Sequence, residues 1–166
     1  VAEEAELRLR WPDLRAGAEV PLHEMDICSG MSPGEAAALA SYFVREEVAA
    51  GAHVFREGDP GDRLFLLARG EMTVSVRLAG KDGRSRRLAT YGPGVTIGEM
   101  AVLEGQRRSA DAQALTDCVL LMLESTALEA LRKNEPDLHS RFMRNLARQL
   151  AVRLRATTIE LRAATS

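Results

Sequence analysis

Cysteine is nearly missing from this chain: Cys28 and Cys118 are the two in 166 residues. They are too few and too far apart for a metal cluster or a disulfide framework. Both read as reduced packing residues, which fits a cytoplasmic setting. No run approaches the ~18 apolar residues of a membrane-spanning helix, and nothing near the start reads as a signal peptide. Direct membrane contact is therefore not expected. Charge of one sign is lacking too, with 22 Lys and Arg against 24 Asp and Glu, a net charge of −2 and a pI near 6.0. That balance gives no global pull toward nucleic acid. His23, His53 and His139 fall at no ligand spacing, so no metal site is expected. No nucleophile has a base beside it in the pattern, and no acid and base are paired, so the chain is not expected to be an enzyme.

The length suits one domain with a real core and some extension. Residues 1–27 differ in character from the rest. Ala2 to Leu9 reads as a short helix ended by Trp11-Pro12, and Asp13 to Asp26 has no clear period. Because the chain begins at Val1, this stretch reads as a connector from an upstream module. Ser32-Pro33-Gly34-Glu35 is a capping box with proline at the first helical position, predicting a helix to about Tyr42.

From Val44 the pattern changes to short strands broken by Gly, Pro and Asp. The expected runs are Val44–Val48, His53–Phe55, Leu64–Ala68, Met72–Leu78, Arg86–Tyr91, Ala110–Ala114 and Val119–Leu123. Many short strands at this spacing predict a closed antiparallel sandwich or roll, with Gly51, Gly58 and Gly70 shaping turns. Helix returns after Glu124. Ser125 is expected to cap a short helix through about Arg132, and Glu135-Pro136-Asp137 to start a longer one. Along it Met143, Leu146, Leu150, Leu154, Thr157 and Leu161 step by three or four residues as an apolar seam. Arg141, Arg144, Arg148, Arg153, Arg155 and Arg162 share that helix. A solvated basic face is the favoured reading over a nucleic-acid or lipid surface.

The chain is organised around Ile97-Gly98-Glu99-Met100-Ala101, continuing to Arg107-Arg108-Ser109-Ala110. Gly98 permits a positive φ or a close backbone approach. Backbone N–H groups at the start of a short helix, with an arginine nearby, form an anion cradle. Arg108 suits a phosphate through its planar fork, whereas Glu99 would repel one and suits a sugar hydroxyl. A ribose carrying a phosphate answers all of these. A glycine-rich turn with a solvated arginine answers the loop taken alone about as well.

Gly98-Glu99-Met100-Ala101 followed by Arg108-Ser109-Ala110 resembles the phosphate-binding cassette of cyclic nucleotide-binding domains. The arginine and serine are nearer those of the bacterial cAMP receptor protein than those of kinase regulatory subunits. The resemblance covers roughly residues 28–160 and implies a mainly β fold: an eight-stranded antiparallel β-roll (a jelly roll), an N-terminal helix and C-terminal lid helices. It assigns residues 28–162 to the binding domain. It implies ribose contacts from Gly98 and Glu99, and phosphate contacts from Arg108, Ser109 and the amide of Ala110, with Met100 and Ala101 completing the cassette. Val74, Leu88 and Ala89 align with positions lining the base pocket, though ordinary strand core explains them equally. Thr157 and Thr158 align with hydroxyls that meet the adenine amino group across a dimer. Two departures stand out. Arg107 replaces a usual proline, and Asp111 adds a carboxylate expected to weaken the anion site, with Arg107 offsetting it.

The expected function is regulatory binding of a cyclic mononucleotide, cAMP ahead of cGMP, with no cofactor. Signal would pass through the terminal helix to an attached effector module. A homodimer through that helix and no specific nucleic-acid partner complete the expectation. The alternatives are a non-binding module of the same fold and the sensor half of a transcription factor. The terminal sequence also resembles domains appended to some bacterial glutaminases and sulfate-permease-type transporters.

Overall fold

The computed structural model describes residues 17–80 and 83–165. Among the described residues, eight strands form two four-stranded sheets. The first sheet runs in the order β1 (Val44–Val48), β8 (Cys118–Glu124), β3 (Arg63–Arg69), β6 (Thr96–Ile97). The second runs β2 (His53–Phe55), β7 (Asp111–Ala114), β4 (Met72–Arg77), β5 (Ser85–Tyr91). Every pairing is antiparallel, with bulges in β3 and between Val74 and Ser75 of β4. This is the expected roll.

The runs of β3 and β8 are apolar throughout because both of their faces are covered. In β3, Phe65 and Leu67 face Leu120 and Met122 inside the roll, while Leu64 and Leu66 join Val119 and Leu123 against the helices. The helices are α1 (Pro33–Ala40), α2 (Glu99–Glu104), α3 (Ser125–Asn134) and α4 (Pro136–Ala164). At α1 the Ser32 hydroxyl accepts from the Glu35 amide and the Glu35 carboxylate accepts from the Ser32 amide, the expected capping box. Ser125 does not cap α3. The N-cap is Glu124, with no side-chain cap bond, and the Ser125 amide donates instead to the Asp62 carbonyl.

The expected helix of Ala2 to Leu9 lies outside the described residues. Val20, Leu22, Met25 and Ile27, assigned above to the connector, are buried in the same core as Phe142 and Leu146. Asn145 holds this segment to α4, its Nδ2 donating to the carbonyls of Ile27 and Ser29 at 2.9 Å each. The packed unit therefore begins before residue 28. The strand missing from the seven apolar runs is β6, whose two residues are too short to show a period.

On α4 the face against the roll is Leu138, Phe142, Asn145 and Leu146, continued by Gln149 and Arg153. The expected seam follows this face only at its start: Leu146 is fully buried in it and Met143 packs against the core, and from Leu150 onward the seam turns away. Met143 and Leu150 are half-buried, and Leu154 and Leu161 are 69% and 61% exposed. No helix among the described residues is long and apolar enough to cross a membrane.

Candidate functional site

Strand β6 delivers the chain to Gly98, which takes a left-handed turn (φ +76°) and starts α2 at Glu99. Only glycine fits this position. A Cβ there would lie 2.6 Å from Nη1 of Arg108 and 3.0 Å from the Phe55 ring, at a backbone angle that L side chains rarely adopt.

Arg108 is the electrostatic centre of the site. It is 4% exposed and lies over the Phe55 ring at 4.2 Å from the centroid. Its Nη1 donates to the Gly98 carbonyl at 2.8 Å and its Nη2 to the Arg63 carbonyl at 2.6 Å. Its Nε is buried with no acceptor. Burial pushes the guanidinium pKa below its ordinary value, and the charge of Asp62 partly counters that. No carboxylate bonds it among the described residues. A buried cation held only by carbonyls and an aromatic face, with one N–H unmet, is a site in want of an anion.

The cavity beside it measures about 190 Å³ and is lined by Val74, Leu88, Gly98, Glu99, Met100, Ala101, Arg108, Ser109 and Ala110. Nine of the residues singled out in the sequence thus converge on one space. Its volume is below the roughly 300–1,000 Å³ of most ligand pockets, so a nucleotide would need it to open. A second recess of about 380 Å³, also lined by Phe55 and Arg108, carries Glu46, Asp59 and Asp62 together with Arg63.

Three expected residues do not line the cavity. Ala89 is half-buried and pairs with Val74 across β4 and β5, an ordinary strand position. Thr157 and Thr158 lie on the exposed end of α4, their hydroxyls donating to the carbonyls of Arg153 and Leu154. Within one chain they have nothing to meet.

The two departures at the cassette are corrected as well. The Asp111 carboxylate accepts from the Glu57 amide at 2.6 Å, and Arg107 donates to the Gly58 carbonyl at 2.9 Å. Both brace the 56–59 turn, and neither lines the cavity, so neither side chain is placed to contact a ligand there.

Four lining residues were missed: Phe55, Tyr91, Ile97 and Arg153. Arg153 reaches in from α4. Its Nη1 donates to the buried Glu99 carboxylate at 2.8 Å, its Nη2 to the Thr96 carbonyl, and its guanidinium lies 5.2 Å from the Tyr91 ring centroid. Its one sequence signal is its place four residues after Gln149 on a helix that must dock.

The chain is similar in sequence and fold to known proteins. Residues 45–135 match the cyclic nucleotide-binding domain family. The chain is 38% identical over 132 residues to the cyclic AMP receptor protein of Thermus thermophilus, covering 80% of this chain and 58% of that protein. It is 34% identical over 142 residues to glutaminase 2 of Bradyrhizobium diazoefficiens, covering 86% of this chain but 22% of the enzyme. Among solved structures, a cyclic nucleotide-binding domain from Methylobacillus flagellatus superposes with a TM-score of 0.77 at 30% identity, covering 82% of this chain and 75% of that one. The chain thus spans little more than half of the receptor protein and about a fifth of the glutaminase. With its roll, its cassette and these relatives agreeing, the chain belongs to the cyclic nucleotide-binding domain family.

Proposed function

We propose that this chain binds one cyclic mononucleotide, cAMP ahead of cGMP, and passes the binding event through α4 to an attached effector module. The observation that carries the reading is Arg108, a buried guanidinium without a carboxylate, facing a cavity that also holds a hydroxyl acceptor in Glu99. The phosphate would take the unmet N–H of Arg108 and the Ser109–Ala110 segment, and the ribose would approach Gly98 and Glu99. Because Glu99 is already bonded to Arg153, ribose binding would compete with α4 for one carboxylate. That competition gives the ligand different affinities for docked and undocked α4, which is what a shift of population requires.

The chain is read as a sensor without chemistry of its own, working in the cytoplasm without a cofactor. A homodimer through the exposed apolar side of α4 would bring Thr157 and Thr158 toward a partner's site. The expectation of no nucleic-acid partner is not carried forward. The relatives include a CRP-like cAMP-activated global transcriptional regulator of Mycobacterium tuberculosis, 30% identical over 124 residues. The competing reading, a non-binding module of the same fold, draws on the narrow cavity and the occupied Glu99.

The test is the melting temperature with and without saturating cAMP, for the parent and for Arg108→Ala. A ligand bound only by the folded state raises the midpoint. The parent should shift upward. Arg108→Ala should lose most of the shift, because a hydrogen bond to a charged group contributes about 1.5–3 kcal/mol. No shift in the parent favours the non-binding module.

A further inference from the structure

The two-residue strand β6 lies at the edge of its sheet, paired on one side to β3 through Phe65↔Ile97 and Leu66↔Thr96. An edge strand leaves alternate N–H and C=O groups pointing outward without partners. Here those groups are the Gly94 carbonyl and the N–H and C=O of Thr96, a residue with no exposed surface. Left unmet at such depth, each would destabilise the fold.

Helix α4 meets all of them with side chains. The Gln149 amide oxygen accepts from the Thr96 N–H at 3.3 Å and from its hydroxyl at 3.0 Å. The Gln149 Nε2 donates to the Gly94 carbonyl at 3.3 Å, and Arg153 Nη2 donates to the Thr96 carbonyl. Gln149 and Arg153 are one helical turn apart, about 6 Å along the axis, so both reach the edge from one face of α4, Gln149 to the turn at Gly94 and to Thr96, Arg153 to Thr96. A polar pair at i and i+4 therefore serves the edge as a neighbouring strand would.

We propose that Gln149 and Arg153 act as a substitute edge strand, and that Gln149 is the positioning residue that ties α4 to the cassette. Thr96 and Ile97 run directly into Gly98 and Glu99, so α4 cannot leave its seat without stripping the edge that holds the start of the cassette. Conversely, a ligand that moves Gly98 and Glu99 must move Gln149. Gln149 does not line the cavity, so its role is coupling and not ligand contact. The nucleotide part of the proposal rests on the reading of the cassette as the nucleotide site. The strap itself does not.

The experiment is amide hydrogen exchange on the full chain for the parent and Gln149→Met, which keeps the side-chain length and removes all three bonds. Thr96→Val, which removes the hydroxyl bond alone, is the milder variant should Gln149→Met not fold. Without ligand, Gln149→Met should speed exchange about tenfold at Thr96 and together with it along residues 150–164, as the loss of linked buried hydrogen bonds requires. Thr96→Val should do the same to a smaller degree. Unchanged exchange at Thr96, or faster exchange there with residues 150–164 unaffected, overturns the strap.

With cAMP, the parent should show a ligand-dependent change over residues 150–164. Gln149→Met should still bind cAMP, up to about tenfold more tightly because a loosened α4 competes less well for Glu99, and should lose that change. Persistence of the change in Gln149→Met overturns the coupling. Should the parent bind no cAMP, the nucleotide reading fails and the coupling fails with it, while the ligand-free comparison still decides the strap.

Discussion

Gly98 and Arg108 depend on one another, because the missing Cβ of one leaves room for the guanidinium of the other. Gly98→Ala should therefore do two things. It should destabilise the fold by about 1–3 kcal/mol through its strained positive φ, and it should displace Arg108 and weaken nucleotide binding. Urea unfolding and a cAMP titration read the two effects separately. A variant that unfolds earlier yet binds as before would separate the glycine from the site. The thiols offer a second measurement. Burial pushes Cys28 up to about 11 and raises Cys118 from its ordinary value. Since the thiolate is the reactive form, alkylation of Cys28 in the folded protein should stay slow near pH 9 and speed only as pH approaches 11. The unfolded chain should react readily at pH 9. The sign follows for stability: a thiol whose folded pKa is raised contributes stability below its unfolded value, lost as pH climbs toward 11. At this scale the cassette was legible because its glycine, acid and arginine lie within eleven consecutive residues. Asp111 and Arg107 were misread because their partners, Glu57 and Gly58, lie 54 and 49 positions away.

Helix α4 was legible as a helix, from its period, but not in the way it faces. The seam from Met143 to Leu161 looked like the docking side because it is apolar. The helix docks through Phe142 and the seam's own Leu146, and then leaves the seam for the polar pair Gln149 and Arg153. Beyond Leu146 it meets a sheet edge, which calls for hydrogen bonds, and hydrophobic periodicity carries no signal for that. Strand β6 escaped for the same reason: its place is set by β3 and α4 and not by its own two residues. The seam that remains exposed makes the dimer testable. Leu154→Glu removes an apolar side chain that is 69% exposed in the single chain. It should leave the monomer's stability within about 0.5 kcal/mol and convert a dimer to monomers in sedimentation velocity. Dimers that persist in Leu154→Glu would place the contact elsewhere.

Across the whole molecule, the strand order follows from burial. The β3 and β8 runs are apolar on both faces and sit inside their sheet, between the roll interior and the helices. The β5 run, Ser85-Arg86-Arg87-Leu88-Ala89-Thr90-Tyr91, lies at an edge and is mostly exposed. Turn glycines and period changes were enough to place seven of the eight strands to within a residue or two, since short strands between tight turns admit few alternatives. The N-terminal boundary was not legible, because Val20, Leu22, Met25 and Ile27 enter the core from short 3₁₀ turns and their approaches, which impose no period. The roll, the cassette and α4 thus form one packed unit whose centre is a buried arginine facing a narrow cavity. In the proposed function that arginine receives the cyclic phosphate. Calorimetric titration of the chain with cAMP, with cGMP and with 5′-AMP tests it most directly. One saturable site is expected, tighter for cAMP than for cGMP, weak for 5′-AMP and at least about tenfold weaker for cAMP in Arg108→Ala. Equal binding by the parent and Arg108→Ala would contradict it, as would no binding of any nucleotide.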